Sequence, residues 1–250
     1  MEGVELAARF GSVTNRLKYC GPNDFHKIFS DYLKDKSRAN AIALQNAITK
    51  FEGHYPYLKL IANANGMDPF DYEVCEAYWL GNGLLENIPK EMMQAMILED
   101  LTGKGKMNKY KAAKLAKYLP NGIVPHHSFH VYYVRFITGK VPWNIANADK
   151  CRVPFGIVRH IKDETYDMPT KIAQVEFEPI DMRRRKFIWK GYRKIEIPLK
   201  TDIADLGNEL KPGDWIAMHW GSPIVKLSQM QKTSLEKYER MNIKAINNSI

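Results

Sequence analysis

Hydrophobic side chains in the first half of the chain recur every three or four residues, the spacing that buries one face of an α-helix. Asn23 or Asp24 is placed to cap the first such helix, whose apolar positions are Phe25, Ile28, Phe29, Tyr32 and Leu33. The same periodicity predicts further helices over residues 39–51, 56–64, 71–85, 92–101 and 109–118. Together these segments predict an all-α domain.

The pattern changes after Pro125. Residues 130–137 are a β-branched and aromatic run typical of a strand, and residues 139–149 are a polar connection that contains Pro and Trp. Four or five short strands with irregular returns predict a small closed barrel, because closure removes exposed strand edges. Ser228 is placed to cap a final helix that ends near Ile246. The apolar runs that predict the strands of the barrel are residues 153–161, 172–177, 193–199 and 215–220.

These patterns predict an α+β protein, and a length of 250 residues favours two domains. An all-α helical domain, with a possible ligand or metal pocket, is expected over residues 1–148. A small OB-like β-barrel followed by a C-terminal helix is expected over residues 149–250.

The composition is that of a globular protein, with 45% hydrophobic and 26% charged residues. No stretch approaches the roughly 20 apolar residues that cross a bilayer. Glu2, Glu5 and Arg9 interrupt the segment where a signal peptide would be apolar, so we expect a cytoplasmic protein without membrane contact. An odd number of widely spaced cysteines favours reduced thiols, and these residues are Cys20, Cys75 and Cys151.

The net charge of +9 raises the question of a nucleic-acid partner, since binding phosphates needs clustered Lys and Arg. The excess is spread out, with 19 basic and 15 acidic side chains in residues 1–150 and 18 and 13 in residues 151–250. The one dense run, residues 183–186, lies between Pro179 and Gly191 and is typical of a solvated hairpin tip. A nucleic-acid partner is therefore not expected.

The most informative segment is KPGDWIAMHWGSPIVKL, residues 211–227. Gly213 and Asp214 form a turn that leads into a strand of large side chains, and Gly221 marks a bend or a close approach of the backbone. His219 would then be held at a rigid strand end.

This segment resembles the HypC-type assembly chaperones of NiFe hydrogenases, in which a Gly-Asp turn, a hydrophobic strand, a His, a Gly and an Ile-x-Lys-Leu or Ile-x-Lys-Ile sequence follow in that order. The match runs without gaps over residues 213–227. A second match, CRVPFGIV at residues 151–158, resembles the Cys-led opening strand of those chaperones. The resemblance covers about 100 of the 250 residues and agrees with a small barrel.

In that family the opening Cys and the strand-end His are the functional pair, and they match Cys151 and His219. The resemblance implies a carrier of iron bearing cyanide and carbonyl ligands, with the hydrogenase large subunit and other maturation proteins as partners. A thiolate is a strong ligand for such iron, and a neutral imidazole can add a bond or orient the fragment. We expect the two side chains on one side of the barrel, with Cys151 open to solvent or in the cleft between the halves.

Two features depart from the chaperone pattern. The Cys of the free-standing chaperones lies at the processed N-terminus, whereas Cys151 is internal and has no free amine beside it. The Pro stands one place nearer the Cys, although the spacing to the Gly is kept. The whole chain also resembles an uncharacterised family in which a similar helical domain precedes this barrel, with Tyr-Cys-Gly-Pro early and His-His-Ser-Phe-His before the boundary.

In the helical half, Cys20 lies in a Tyr-Cys-Gly-Pro turn ahead of a predicted helix, where the dipole and free amides would lower its pKa. A space-filling role beside Tyr19 explains this cysteine equally well.

The sequence PHHSFH gathers three imidazoles, those of His126, His127 and His130, which can supply metal ligands or acid–base groups. On a strand His126 and His130 would share a face, whereas on a helix all three would lie nearer one another. A complete metal site would have to recruit Asp24, Glu52 or another distant group.

A chemical site in the helical half would combine at least two of these imidazoles with a thiol or carboxylate. Its candidate catalytic residues are Cys20, Glu52, His126, His127 and His130.

Two functions remain open from the sequence. The first is a carrier in hydrogenase maturation that binds iron through Cys151 and His219. The second is an enzyme of iron-ligand synthesis whose helical half does the chemistry and passes its labile product to the fused barrel. An oligonucleotide-binding barrel is less favoured, because the sequence shows no exposed aromatic residues interleaved with a basic groove.

Overall fold

The computed structural model of the chain describes residues 1–103, 107–164, 170–201 and 204–250. Over these ranges it contains ten α-helices, one five-stranded sheet and one two-stranded hairpin. The predicted α+β class is therefore confirmed.

The N-terminal half is helical, and its helices include all six that the periodicity predicts. A 3-10 turn, Gly83–Asn87, follows the fifth helix and ends the segment that the sequence predicts as one helix to residue 85. The helices are α1 (Gly3–Arg16), α2 (Phe25–Lys34), α3 (Arg38–Ile48), α4 (Tyr55–Asn65), α5 (Tyr72–Trp79), α6 (Lys90–Glu99) and α7 (Lys109–Lys117).

Helix α1 is not among the helices predicted from the sequence. Apart from Arg9, every residue from Gly3 to Asn15 is buried. Its polar residues Glu5, Arg9, Ser12 and Arg16 recur every three or four positions and form one face, but Glu5 and Ser12 on that face are buried as well. Its central position in the helical half is visible only in three dimensions.

The strand predicted over residues 130–137 is wrong. The chain forms a short helix, α8 (His127–Phe129), that widens into a π-helical turn over His130–Val134. Residues 123–132 are all buried, so apolar and aromatic side chains face every side and give no period that separates a helix from a strand.

The polar connection predicted over residues 139–149 contains a further helix, α9 (Ile145–Cys151). The side chain of Asn144 caps it by accepting the N–H of Asn147. Cys151 is therefore the last residue of a helix and not part of an opening strand, which begins only at Phe155.

The sheet has antiparallel neighbours throughout and the strand order β5–β2–β1–β6–β7. Among the described residues no hydrogen bonds join its edge strands, so the predicted closed barrel is not found there. A separate hairpin joins β3 to β4. The strands are β1 (Phe155–Glu164), β2 (Thr170–Phe177), β3 (Ile180–Arg183), β4 (Lys186–Trp189), β5 (Arg193–Pro198), β6 (Trp215–His219) and β7 (Ser222–Leu227).

The basic run at residues 183–186 is the predicted hairpin tip. Arg184 and Arg185 form the turn between β3 and β4, with φ of 50° and 69°, and both are exposed. Two successive positive φ angles give the tight turn that matches the twist of the flanking strands.

The chain ends in α10 (Gln229–Asn248), which begins with the predicted Ser228 cap. The Ser228 hydroxyl accepts the N–H of Gln231, whose side chain accepts the N–H of Ser228 in return. Further along, the Asn242 side chain accepts the N–H of Val124 and donates to the hydroxyl of Ser128. Helix α10 thereby returns to the segment that carries the three imidazoles.

A buried ionic network connects α9 to α10. The guanidinium of Arg152, which is 1% exposed, donates to the carboxylates of Glu239 at 2.8 Å and Asp149 at 2.9 Å and to the carbonyl of Glu178 at 2.5 Å. The Tyr132 hydroxyl donates to the second oxygen of Glu239 at 2.6 Å. The network fixes the backbone beside Cys151.

The buried apolar side chains form one continuous core that includes residues on both sides of position 148. The division into domains at residues 1–148 and 149–250 stays a prediction. Among the described residues, no helix combines the length and the apolar character needed to cross a bilayer.

We predict that Glu239→Leu destabilises the fold by about 3–5 kcal/mol, because it leaves the buried Arg152 charge without its main partner. The measurement is the free energy of unfolding from urea denaturation. Glu236→Leu on the same helix is the matched control, since Glu236 forms only surface ion pairs with Lys232 and Arg240. It should cost no more than about 1 kcal/mol. Equal effects of the two changes would contradict a structural role for the network.

Candidate metal centre

Cys151 and His219 meet because main-chain hydrogen bonds join the end of α9 to the β6–β7 hairpin. The N–H of Trp220 donates to the carbonyl of Lys150 at 2.8 Å. Trp220 and Gly221 have φ of 51° and 79° and form the two-residue turn that ends β6 at His219. The expectation of a histidine held at a rigid strand end is therefore confirmed.

The backbone just after the cysteine is strained. Val153 is fully buried and has a φ of 70°, a conformation that β-branched residues rarely adopt. Such a residue costs about 1–3 kcal/mol and persists only where its surroundings hold it. The turn at Val153 lets the chain leave α9 after Cys151 and enter the sheet as β1.

Three side chains converge on one point in the interior. The Sγ of Cys151 lies 3.7 Å from Nε2 of His219 and 3.8 Å from Nε2 of His127, and all three atoms lie within 4.8 Å of one another. A metal with bonds of typical length to sulfur and nitrogen holds such atoms about 3.6 Å apart in tetrahedral geometry and about 3.8 Å apart in trigonal geometry. The two observed separations between sulfur and nitrogen fit a metal ion shared by Cys151 and either imidazole.

The imidazole of His219 is oriented for this role. Its Nδ1 lies 3.0 Å from the carbonyl oxygen of Phe10 in α1. Because a carbonyl only accepts, Nδ1 carries the proton and Nε2 presents a lone pair towards Cys151. Burial lowers the pKa of His219 to about 4, so the ring is neutral, and a histidine anchored in this way is typical of metal ligands.

The polar contacts of His127 need one more proton than the groups involved carry. Its Nε2 lies 2.8 Å from the carbonyl of Cys151, its Nδ1 lies 2.9 Å from the Tyr78 hydroxyl, and Tyr78 donates to the carbonyl of Gly53 at 2.8 Å. Burial holds the pKa of His127 well below its usual value, so the ring is neutral. Three contacts then share two protons, and one contact is between lone pairs. When Nδ1 carries the ring proton, that contact is the one between Nε2 and the Cys151 carbonyl, and a cation at Nε2 would remove the repulsion.

The thiol of Cys151 is enclosed but not isolated. Burial raises its pKa to about 12, and the indole N–H of Trp220 opposes this by favouring the thiolate. That N–H makes no conventional hydrogen bond. A thiolate bound to a cation would accept it, because metal coordination deprotonates a thiol and leaves negative charge on sulfur.

The three donor atoms face a cavity of about 60 Å³ between the helical half and the sheet. Cys151 is 6% exposed and lies in its wall, as do both imidazoles. The thiol thus lies between the halves as expected, but it is buried in a cavity wall and not open to solvent. Apolar walls come from the irregular segment before α9, through Phe136, Ile137 and Val141.

His54 lines the same cavity and has one unpaired nitrogen. The indole of Trp79 donates to its Nε2 at 3.2 Å, so in the neutral ring Nδ1 carries the proton. Burial and the nearby imidazoles lower its pKa to about 3. The Nδ1–H is fully buried and has no partner. An unpaired buried donor costs about 1–3 kcal/mol, so this one calls for an acceptor in the cavity.

His130 and Cys20 occupy the opposite wall. The Tyr57 hydroxyl lies 2.9 Å from Nδ1 of His130, and a Cβ added to Gly53 would lie 3.0 Å from its Nε2 and 3.9 Å from the sulfur of Cys20. Glycine at position 53 therefore leaves room for both groups. Two of the three clustered imidazoles thus face a pocket that contains Cys20, as the sequence predicts.

Of the two interpretations of Cys20, burial favours the space-filling one. Burial raises the pKa of its thiol to about 11, although the N–H groups of Gly53 and Gly21 favour the thiolate. Helix α2 begins only at Phe25, so its terminal amides are five residues away. Loss of hydration outweighs the local dipoles.

The remaining candidates lie outside the cavity wall. His126 is buried, and its Nδ1 accepts the N–H of Ser128, so it caps the short helix α8. Glu52 is half-buried and Asp24 is exposed, and neither lines the cavity. The structure brings together Cys20, His127, His130, Cys151 and His219.

Sequence reasoning missed three buried side chains beside this cluster, His54, Tyr78 and Trp79. All three lie in aromatic stretches, for which burial in the core is the ordinary expectation. Their polar atoms distinguish them, and no sequence pattern marks which buried aromatic residue hydrogen-bonds to another group of the site.

One thiolate and two neutral imidazoles are the donors that zinc, copper and low-spin iron prefer, whereas magnesium and calcium prefer oxygen. Fold and site thus define an α+β protein with a buried His–Cys–His cluster whose donor atoms suit a transition-metal ion. The chain belongs to the family described as "Family of unknown function (DUF6390)", whose model matches residues 1–250. No curated protein and no solved structure matches it.

We predict that the purified protein binds one Co²⁺ per chain with a sulfur-to-cobalt charge-transfer band. Cys151→Ser should abolish the band, because it exchanges a soft ligand for a hard and protonated one. Cys75→Ser is the matched control, since Cys75 is equally buried but distant from the cluster. Retention of the band in a folded Cys151→Ser variant would contradict the assignment.

A second prediction concerns the support of His127. Tyr78→Phe removes only the hydroxyl that orients Nδ1, and we expect Co²⁺ affinity to fall by about 10- to 100-fold. The measurement is competition with a chelator of known affinity. Tyr133→Phe, which removes a hydroxyl bonded to the Leu115 carbonyl, is the control and should leave the affinity unchanged. Equal affinities of the two variants would show that Tyr78 does not support the site.

Proposed function

We propose that the protein is a carrier of an iron fragment in the maturation of NiFe hydrogenases. The cargo is iron with cyanide and carbonyl ligands, held by Cys151, His219 and His127. The observation that supports this most is the convergence of these three side chains on one point.

The first argument is the pairing of Cys151 with His219. The resemblance to HypC-type chaperones singles out these two residues although 68 positions separate them. The sulfur and Nε2 lie 3.7 Å apart, close enough to share one metal ion.

The second argument is the contribution of the helical half. His127 adds a third ligand that the resemblance does not include, and its outer partner Tyr78 also belongs to that half. No terminal amine lies beside Cys151 in this chain, and His127 supplies a third protein ligand in its place. The fusion of the two parts then has a chemical purpose, because each completes the site of the other.

The third argument is the cavity. Its volume of about 60 Å³ gives room for a few ligands of the size of water, the size class of carbonyl and cyanide. Apolar walls suit a carbonyl ligand, and N–H groups suit the nitrogen of cyanide. Three protein ligands leave further coordination positions open towards this space.

Transfer requires the cavity to open, since the thiol is buried. The wall formed by residues 136–141 has no helix or strand and lies on the outer side of the cavity. Segments with few backbone hydrogen bonds open at lower free-energy cost than helices or strands. Movement of this wall would expose Cys151 to a partner protein.

The proposal includes three further parts. The sheet corresponds to the OB-like barrel of the chaperones, and its edge strands β5 and β7 approach each other without hydrogen bonds. The partners are the hydrogenase large subunit and other maturation proteins. The location is the cytoplasm, where thiols such as Cys151 stay reduced.

A second candidate function is an enzyme of iron-ligand synthesis. One observation favours it: Cys20 and His130 of the helical half line the same cavity as the metal ligands. A reaction at this thiol would form its product beside the metal. Loss of iron-bound cyanide on Cys20→Ser, with metal binding intact, would favour the enzyme over the carrier.

We predict that protein purified without oxygen from a hydrogenase-producing host shows infrared bands of iron-bound cyanide and carbonyl. The bands should be absent from Cys151→Ser and present in Cys75→Ser, because Cys151 is a proposed ligand of the iron and Cys75 is not. In a deletion host, Cys151→Ser should fail to restore hydrogenase activity. Normal activation by a folded Cys151→Ser variant would exclude the carrier mechanism.

A further inference from the structure

Polar groups other than the three candidate metal-binding atoms also line the cavity. His54 lines the cavity and is 3% exposed. Its Nε2 accepts the indole N–H of Trp79, and its Nδ1–H has no partner among the described residues. Stacking of this ring on Tyr78, with centroids 5.2 Å apart, fixes its orientation. An unpaired buried donor at a cavity wall is a feature for which water or a ligand must account.

His130 supplies a second donor. The buried hydroxyl of Tyr57 has Nδ1 of His130 as its hydrogen-bond partner at 2.9 Å, and donation to it leaves the proton of the neutral ring on Nε2. Burial lowers the pKa of this histidine to about 4, so the ring is neutral. His130 lines the cavity, and its Nε2 lies beside Gly53, where a Cβ would come to 3.0 Å.

We propose that the N–H groups of His54 and His130 form a subsite for a small linear anion bound to the metal, of the cyanide and azide class. This inference rests on the proposed metal centre and names the ligand that the metal carries. An anion coordinated at the open position of the cation presents its far end to the cavity as a hydrogen-bond acceptor. Two neutral donors receive it there without adding charge to the interior.

The size and polarity of the cavity limit the choice of ligand. A volume of about 60 Å³ excludes a nucleotide or a peptide side chain of ordinary size. No carboxylate lines the cavity, so an anion meets no repulsion from a side chain. The apolar walls disfavour ligands with several polar groups.

The test uses Co²⁺-loaded protein titrated with azide, followed by the cobalt absorption bands and the azide infrared stretch. His54→Gln places an amide near the Nε2 position, so it keeps a partner for Trp79 and loses the donor at Nδ1. We expect it to bind Co²⁺ normally and azide about ten- to hundredfold more weakly, the loss of one hydrogen bond to a charged group.

His54→Asn is the rescue variant, because its amide nitrogen can occupy the place of Nδ1. It should bind azide more tightly than His54→Gln. His160→Gln is the matched control, since His160 is exposed on β1 and remote from the cavity. It should change neither cobalt nor azide affinity.

Three results would overturn the subsite. Unchanged azide affinity in His54→Gln would show that the N–H does not reach the anion, while the metal centre would stand. Equal losses in the Gln and Asn variants would assign the effect to packing of the ring. Failure of the wild-type protein to bind Co²⁺ would overturn the metal centre itself, and the subsite with it.

Discussion

The guanidinium of Arg152 is the interaction on which the geometry of the molecule depends. It follows directly after Cys151 and joins three parts of the fold, the carboxylates on α9 and α10 and the carbonyl that follows β2. A buried cation without these partners would cost several kcal/mol, so each partner must be in place when the chain folds. The end of α9 therefore has one position relative to the sheet, and the cysteine is held there before any ligand arrives.

The site combines donors for a cation with an environment that opposes charge in its absence. Burial lowers the pKa of His54, His130 and His219 and raises that of the Cys151 thiol, so at neutral pH these groups carry no charge. In this neutral site, unpaired donors and lone pairs that point at one another are buried away from water. A cation and its anionic ligand together would satisfy these groups and keep the added charge low.

Sequence reasoning found elements that have one polar and one apolar face, such as helix α10 with its Ser228 cap. It also found the turn at Arg184, which a dense basic run marks. It failed at the π-helical turn at His130, where burial is complete on every side, because a segment without a polar face has no period. It also missed α1, although the polar residues of that helix recur at helical spacing. The resemblance to HypC-type chaperones singled out Cys151 and His219, because the order and spacing of motif residues can be read directly from the sequence.

The missing parts of the site are of another kind. His127 was a candidate among three equal histidines, and only the fold shows that its Nε2 reaches the sulfur while His126 caps a helix. His54 was hidden in an aromatic stretch, because the tautomer that leaves its N–H unpaired depends on Trp79, 25 positions away. A sequence lists which groups are present, whereas protons and lone pairs are assigned by neighbours that folding brings together.

The carbonyl of Phe10 that orients His219 is 209 positions away along the chain. Folding must therefore dock the first helix against the last hairpin before the imidazole acquires its working tautomer, and contacts of such sequence separation form late and slowly. A chain still emerging from the ribosome, or one whose N-terminal helix has come loose, holds the same ligands without the geometry. If the centre holds metal as proposed, capture would require the complete fold, and a half-folded chain would not compete for scarce metal.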